Sequence, residues 1–143
     1  MELLLLGVSH HTAPVDLRER VDFSKRGVVE ALRELKTCSS ATEAVVLTTC
    51  NRAEIYVVCE NADTTREDLG RFMSQFHGVA ETELEPHLYS HRGADAAKHL
   101  CRVTTGLDSL VVGEPQILGQ VKDAHASATG EHYTGTLLNK LFP

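Results

Sequence analysis

Two runs of strand-forming residues, Glu43 to Thr48 and Ala53 to Cys59, are separated by only four residues, Thr49 to Arg52. A link that short cannot carry the crossover that parallel strands need, so the two runs must pair as an antiparallel hairpin. The same link carries chemistry. Cys50 sits in it with Arg52 two residues on. Only the thiolate of a cysteine is a good nucleophile, and a nearby cation favours it. A thiol at a strand end beside a fixed charge is placed for reactivity rather than packing.

The rest of the chain arranges itself around that hairpin. Leu3 to Val8 is a continuous apolar run, the pattern of a buried central strand. It ends in a polar loop, Ser9-His10-His11-Thr12-Ala13-Pro14. Val15 to Phe23 allows a short helical turn. Ser24 then caps a helix predicted over 25–36, whose inner stripe is Val28, Ala31, Leu32 and Leu35. After the hairpin, Thr64-Thr65-Arg66-Glu67 reads as a capping box for a helix running to Phe76 and stopped by Gly78. A fourth strand falls near Leu88-Tyr89-Ser90. The order β-α-β-β-α-β predicts an α+β, ferredoxin-like antiparallel sheet with helices on one face, followed by additional C-terminal helices. The first of these spans 93–105, with Ala96, Leu100 and Val103 inward, His99 at the edge of the stripe and Cys101 buried. The next opens at Glu114-Pro115-Gln116 after a glycine-containing loop, with Ile117, Leu118, Val121, Ala124 and Ala128 inward. Gln116 and Gln120 share one of its faces, so the segment reads either as an ordinary capped helix or as the wall of a polar pocket. Residues 131–143 begin a further helix. All 143 residues are expected to form a single domain, with 131–143 beginning a helical connection to further domains.

Composition excludes several classes. Lys and Arg number 14 against 20 Asp and Glu, a net charge of −6, which makes the chain a poor non-specific binder of nucleic acid. Cys38, Cys50, Cys59 and Cys101 contain no C-x-x-C pair, and no histidine pair has a ligand-like third partner, so no metal is expected. No signal-peptide pattern and no membrane-length apolar run is visible, so the chain reads as cytoplasmic, with reduced thiols and no membrane partner.

Three segments, Gly7 to Pro14, Leu47 to Tyr56 and Gly106 to Lys122, together resemble the N-terminal catalytic domain of the glutamyl-tRNA reductases. These are oxidoreductases that open the C5 route of tetrapyrrole, or porphyrin, biosynthesis. The resemblance covers essentially the whole chain and shows no departure at the matching functional positions. It implies NADPH-dependent reduction of glutamyl-tRNA to glutamate-1-semialdehyde through a thioester. In that chemistry Cys50 is the nucleophile and His99 the general acid or base. Thr49, Asn51, Arg52, Ser109, Glu114, Pro115, Gln116 and Gln120 fall on substrate positions, with Arg52 suited to the glutamyl carboxylate and Glu114 to the ammonium group. NADPH and a homodimer interface belong to parts of the full-length enzyme outside this chain, which has no G-x-G-x-x-G after a strand. The isolated chain is therefore expected to form the thioester but not to reduce it. The acceptor end of glutamyl-tRNA is the expected partner, with channelling to a following aminomutase possible for the whole enzyme. On the residues alone an alternative stands: a non-catalytic ferredoxin-like module sensing a small amino acid through Arg52 and Glu114.

Overall fold

In the computed structural model, which describes residues 1–107 and 116–142, strands β1 (Glu2–Ser9), β2 (Glu43–Thr48), β3 (Arg52–Cys59) and β4 (Tyr89–Arg92) form one sheet in the order β2-β3-β1-β4. Every neighbouring pair is antiparallel. This is the ferredoxin-like arrangement. Helices α1 (Val15–Arg20) and α2 (Val28–Cys38) connect β1 to β2, and α3 (Ala62–His77) with the short α4 (Glu81–Leu84) connects β3 to β4. Helices α5 (Ala94–Thr104), α6 (Gln116–Gly130) and α7 (Thr136–Leu141) follow.

Side chains alternate across a strand, so the register assigns each residue to a face. One face carries Leu4, Leu6, Ile55 and Val57, and lies under α3, whose Ala62, Asp63 and Arg66 line a depression together with Leu4, Ser90 and Arg92. The other face carries a polar file: Ser9, Arg52, Glu54, Tyr56 and Tyr89 among Leu5, Val45 and Leu47. The later helices cover it. His99 of α5 reaches Glu54 at 2.5 Å, and the ring of Phe142, just past α7, meets Tyr56 edge-on at 5.5 Å. All eight residues of β3 are buried. The C-terminal helices thus form the second cover of the sheet.

Several local expectations are corrected. Ser24 does not cap a helix, because its N–H and hydroxyl both donate to Asp22. The second helix begins instead at Val28 after Gly27, whose φ of 103° suits glycine. Asn61, not Thr64, caps α3: its side-chain oxygen accepts from the Thr64 N–H. Gly78 ends that helix in the left-handed conformation, as the sequence predicts. Cys101 is exposed rather than buried, and Leu118 lies 40% exposed, off the inner stripe of α6. Residues 131–135 form a turn before α7, so the final helix is shorter than the pattern suggests.

Candidate functional site

The hairpin link is held by its own side chains. Thr49 Oγ1 accepts from the N–H groups of Asn51 (3.1 Å) and Arg52 (3.2 Å), and the Thr49 N–H donates to the Arg52 carbonyl at 2.9 Å. The Asn51 carbonyl in turn accepts from His10 N–H at 2.9 Å, which ties the link to the loop leaving β1. Cys50 is left exposed at the tip. It opens onto a cavity of about 400 Å³, walled by Thr49 and Asn51 on one side and by Val15, Arg18 and Asp22 on the other. Arg18 is the cation of that cavity, and its Nε is buried without a hydrogen-bond partner. Asp22 is committed elsewhere: it accepts from Ser24 and from Thr48 Oγ1 (2.9 Å). Burial works against its charge, but these hydrogen bonds hold its carboxyl below the usual range.

Arg52 has a different setting. Its side chain is 1% exposed and its Nη1 lies 3.2 Å from Glu54, whose side chain is fully buried. Glu54 is the hub of the polar face. It accepts from Arg52, from the Tyr56 hydroxyl (2.8 Å), from the Tyr89 hydroxyl and from His99 Nε2 (2.5 Å). Burial opposes its ionisation, yet the His99 bond and the Arg52 guanidinium outweigh it and keep the carboxyl below the usual range. Burial and the Glu54 charge push both tyrosine hydroxyls upward, so they stay protonated donors. A carboxylate has about four acceptor positions; here Arg52, Tyr89 and His99 meet Oε2 and Tyr56 meets Oε1.

Room for this hub comes from Gly7, directly opposite Glu54 in the ladder. A Cβ there would stand 2.7 Å from the Ala53 carbonyl oxygen and 2.8 Å from Glu54 Cγ. His99 is otherwise held between rings, stacked on His91 at 5.2 Å and tilted against Tyr89 at 5.4 Å. With Ser9, His11 and Thr12 these side chains line a second cavity of about 250 Å³.

The described residues therefore group Cys50, Thr49 and Asn51 around one cavity, and Arg52, Glu54 and His99 in one hydrogen-bonded cluster beside another. Gln120 borders a third, smaller depression with Thr48 and Asp123, and Gln116 is exposed at the first residue of α6. Ser109, Glu114 and Pro115 lie outside the described residues. Among the described residues no group of three or more His, Cys, Asp or Glu could hold a metal ion, and no helix is long and apolar enough to cross a membrane. Glu54, Tyr56 and Tyr89 are not among the residues the sequence singles out, because a strand run alone does not say what its polar side chains meet. The available signal was the period-two spacing of Arg52, Glu54 and Tyr56, which puts a fork, a carboxylate and a phenol in one file.

The family model for the N-terminal domain of glutamyl-tRNAGlu reductase matches residues 6–143. A glutamyl-tRNA reductase of Pseudoalteromonas translucida is 47% identical over 142 residues, which are 99% of this chain and 34% of that protein. One from Solibacter usitatus is 51% identical over 128 residues, covering 90% of this chain and 30% of its own. The solved glutamyl-tRNA reductase from Methanopyrus kandleri superposes with a TM-score of 0.80 at 31% identity, over 98% of this chain and 31% of that one. The chain spans about a third of the length of the curated relatives it matches.

Proposed function

Because the chain belongs to the family of glutamyl-tRNA reductase N-terminal domains, we propose that it carries out the acyl-transfer half of that reaction, moving the glutamyl group from tRNA to Cys50. Cys50 Sγ attacks the ester carbonyl, the S–C bond forms, and the C–O bond to the terminal ribose breaks. The thiol proton is lost and the ribose oxygen gains one, so the products are an enzyme thioester and free tRNA. A thioester accepts hydride more readily than an oxygen ester, which is the reason for splitting the reaction at this point.

The observation that carries this reading is the exposed Cys50 at the tip of a closed, hydrogen-bonded turn facing a cavity of about 400 Å³. A rigid link holds a nucleophile in place without ordering cost at the moment of reaction. Thr49 acts by closing the turn, and Asn51 borders the same cavity. Arg52, Ser109, Glu114, Pro115, Gln116 and Gln120 are assigned to the glutamyl group through the family. Arg52 offers a planar fork for a carboxylate, already pre-oriented by Glu54. His99 is assigned the proton transfer to the leaving ribose oxygen.

NADPH supplies the hydride in the full-length enzyme under this proposal. The described strands form a sheet in which every neighbouring pair is antiparallel, without two adjacent parallel strands. They do not fit a dinucleotide, so no reduction step is derived from these residues. Dimerisation and hand-over to an aminomutase are likewise properties proposed for the whole enzyme.

The test is direct. The chain is incubated with glutamyl-tRNA labelled in the amino acid, and the protein is digested for mass spectrometry. A glutamyl adduct on Cys50, absent from Cys50→Ser, is the expected result. Full-length tRNA left acylated, with no adduct on the wild-type thiol, would overturn the assignment.

A further inference from the structure

We propose that Glu54 is a positioning residue for His99: by accepting the hydrogen bond of the Nε2–H it leaves Nδ1 as the nitrogen that gains and gives protons during acyl transfer. The inference deepens the reading above and rests on it for its chemistry, though not for its geometry.

An ionised carboxylate can only accept hydrogen bonds. Glu54 is ionised, since Arg52 lies 3.2 Å away and two phenols donate to it. The hydrogen in the 2.5 Å contact with His99 therefore sits on Nε2. A neutral imidazole with its hydrogen on Nε2 has its lone pair on Nδ1. The ring cannot turn to exchange the two nitrogens without leaving its stack on His91 and its contact with Tyr89. His99 keeps 13% of its side chain exposed and forms part of the wall of the cavity of about 250 Å³. The groups facing it are Glu54 and Arg52 from β3, Tyr89 and His91 from β4, and His11 from the loop after β1.

This decides the order of events at the ring. His99 starts as a base at Nδ1. Taking a proton there makes an imidazolium whose Nε2–H still points at the Glu54 carboxylate, which stabilises the new charge. The same Nδ1 then donates to the ribose oxygen as the C–O bond breaks. One proton enters and one leaves, and the ring ends neutral. Glu54 itself neither gains nor loses a proton.

The experiment uses the whole chain with 15N-labelled histidine. Two-bond 1H–15N correlations report the tautomer of each ring, and His99→Gln identifies the His99 signals. The neutral ring is expected to carry hydrogen on Nε2. A neutral ring with hydrogen on Nδ1 overturns the proposal, and this reading needs no variant at Glu54 to fold. Glu54→Gln keeps the shape and removes the charge. It is expected to lose the Nε2–H preference and to slow thioester formation at saturating glutamyl-tRNA by about a hundredfold or more. A merely structural role would leave the His99 tautomer of the variant as it is in the wild type. Wild-type tautomer and wild-type rate in Glu54→Gln would overturn the proposal. Absence of any thioester in the wild-type chain would sink the acyl-transfer reading, while the spectrum would still decide what Glu54 does to His99.

Discussion

Gly7 shows how tightly one residue can govern the cluster around Glu54. It needs no special backbone angle; it is glycine because Glu54 and the Ala53 carbonyl occupy the space a methyl group would take. Gly7→Ala forces that contact apart or shifts the strand. A cost of about 3 kcal/mol is expected for such overpacking, read as a fall of roughly 10 °C in thermal midpoint. The same methyl presses on Glu54 Cγ, so the His99 resonances should move in the variant as well. In the sequence Gly7 falls within an apolar run and opens the Gly7 to Pro14 segment, with no packing reason attached to it. Cys50 stands out clearly there, because a cysteine between two strand runs has few packing roles. The sequence also pairs Arg52 with the thiol, whereas the guanidinium shares its charge with Glu54 across the pleat. That partner is two residues away in sequence, but only the depth of burial makes the pair matter.

At the scale of elements, the caps explain where helices begin. Asn61 takes the Thr64 N–H at the start of α3, so Asn61→Ala is expected to cost about 1 kcal/mol in urea unfolding. Helix α7 has no side-chain cap of its own, since Gly135 stands at that position. Buried Glu43 of β2 supplies one from across the fold, its Oε1 accepting from Gly135 N–H (2.7 Å) and Leu138 N–H (3.0 Å). Glu43→Ala leaves two donors without that acceptor. Loss of about 2 kcal/mol is expected, with hydrogen exchange rising first at the α7 amides rather than in the sheet. Apolar spacing revealed α2, α3 and α5 because a helix face is a local pattern. It placed the start of α2 too early because the competing Asp22–Ser24 bonds are a choice made by the loop, not by propensity.

For the molecule as a whole, pH acts through a residue far from the chemistry. His77 packs edge-on against Phe23 at 4.5 Å and against Phe76 at 5.1 Å. Burial pushes its pKa down from 6.5 to about 4, with Arg26 and Lys25 helping and Asp22 opposing. Between those values the unfolded ring binds a proton that the folded ring does not. Stability is therefore complete above about pH 6.5 and falls as pH drops towards 4. The lowered carboxyls of Glu54 and Asp22 act from the foot of that window downward. Urea midpoints at pH 7 and pH 4.5 should differ in the wild type and converge in His77→Leu; equal shifts in both proteins would contradict the assignment.

The sequence alone determined the strands, their antiparallel order and the family, because each rests on local pattern or on motif. The tertiary structure decided which face of the sheet each side chain joins and what it meets there. Register brings Gly7, Glu54 and Tyr89 into one row, and α5 lowers His99 onto it. Charges in that row are paired because burial makes an unpaired one too costly, and burial is a property of the assembled layers that no single stretch of chain contains.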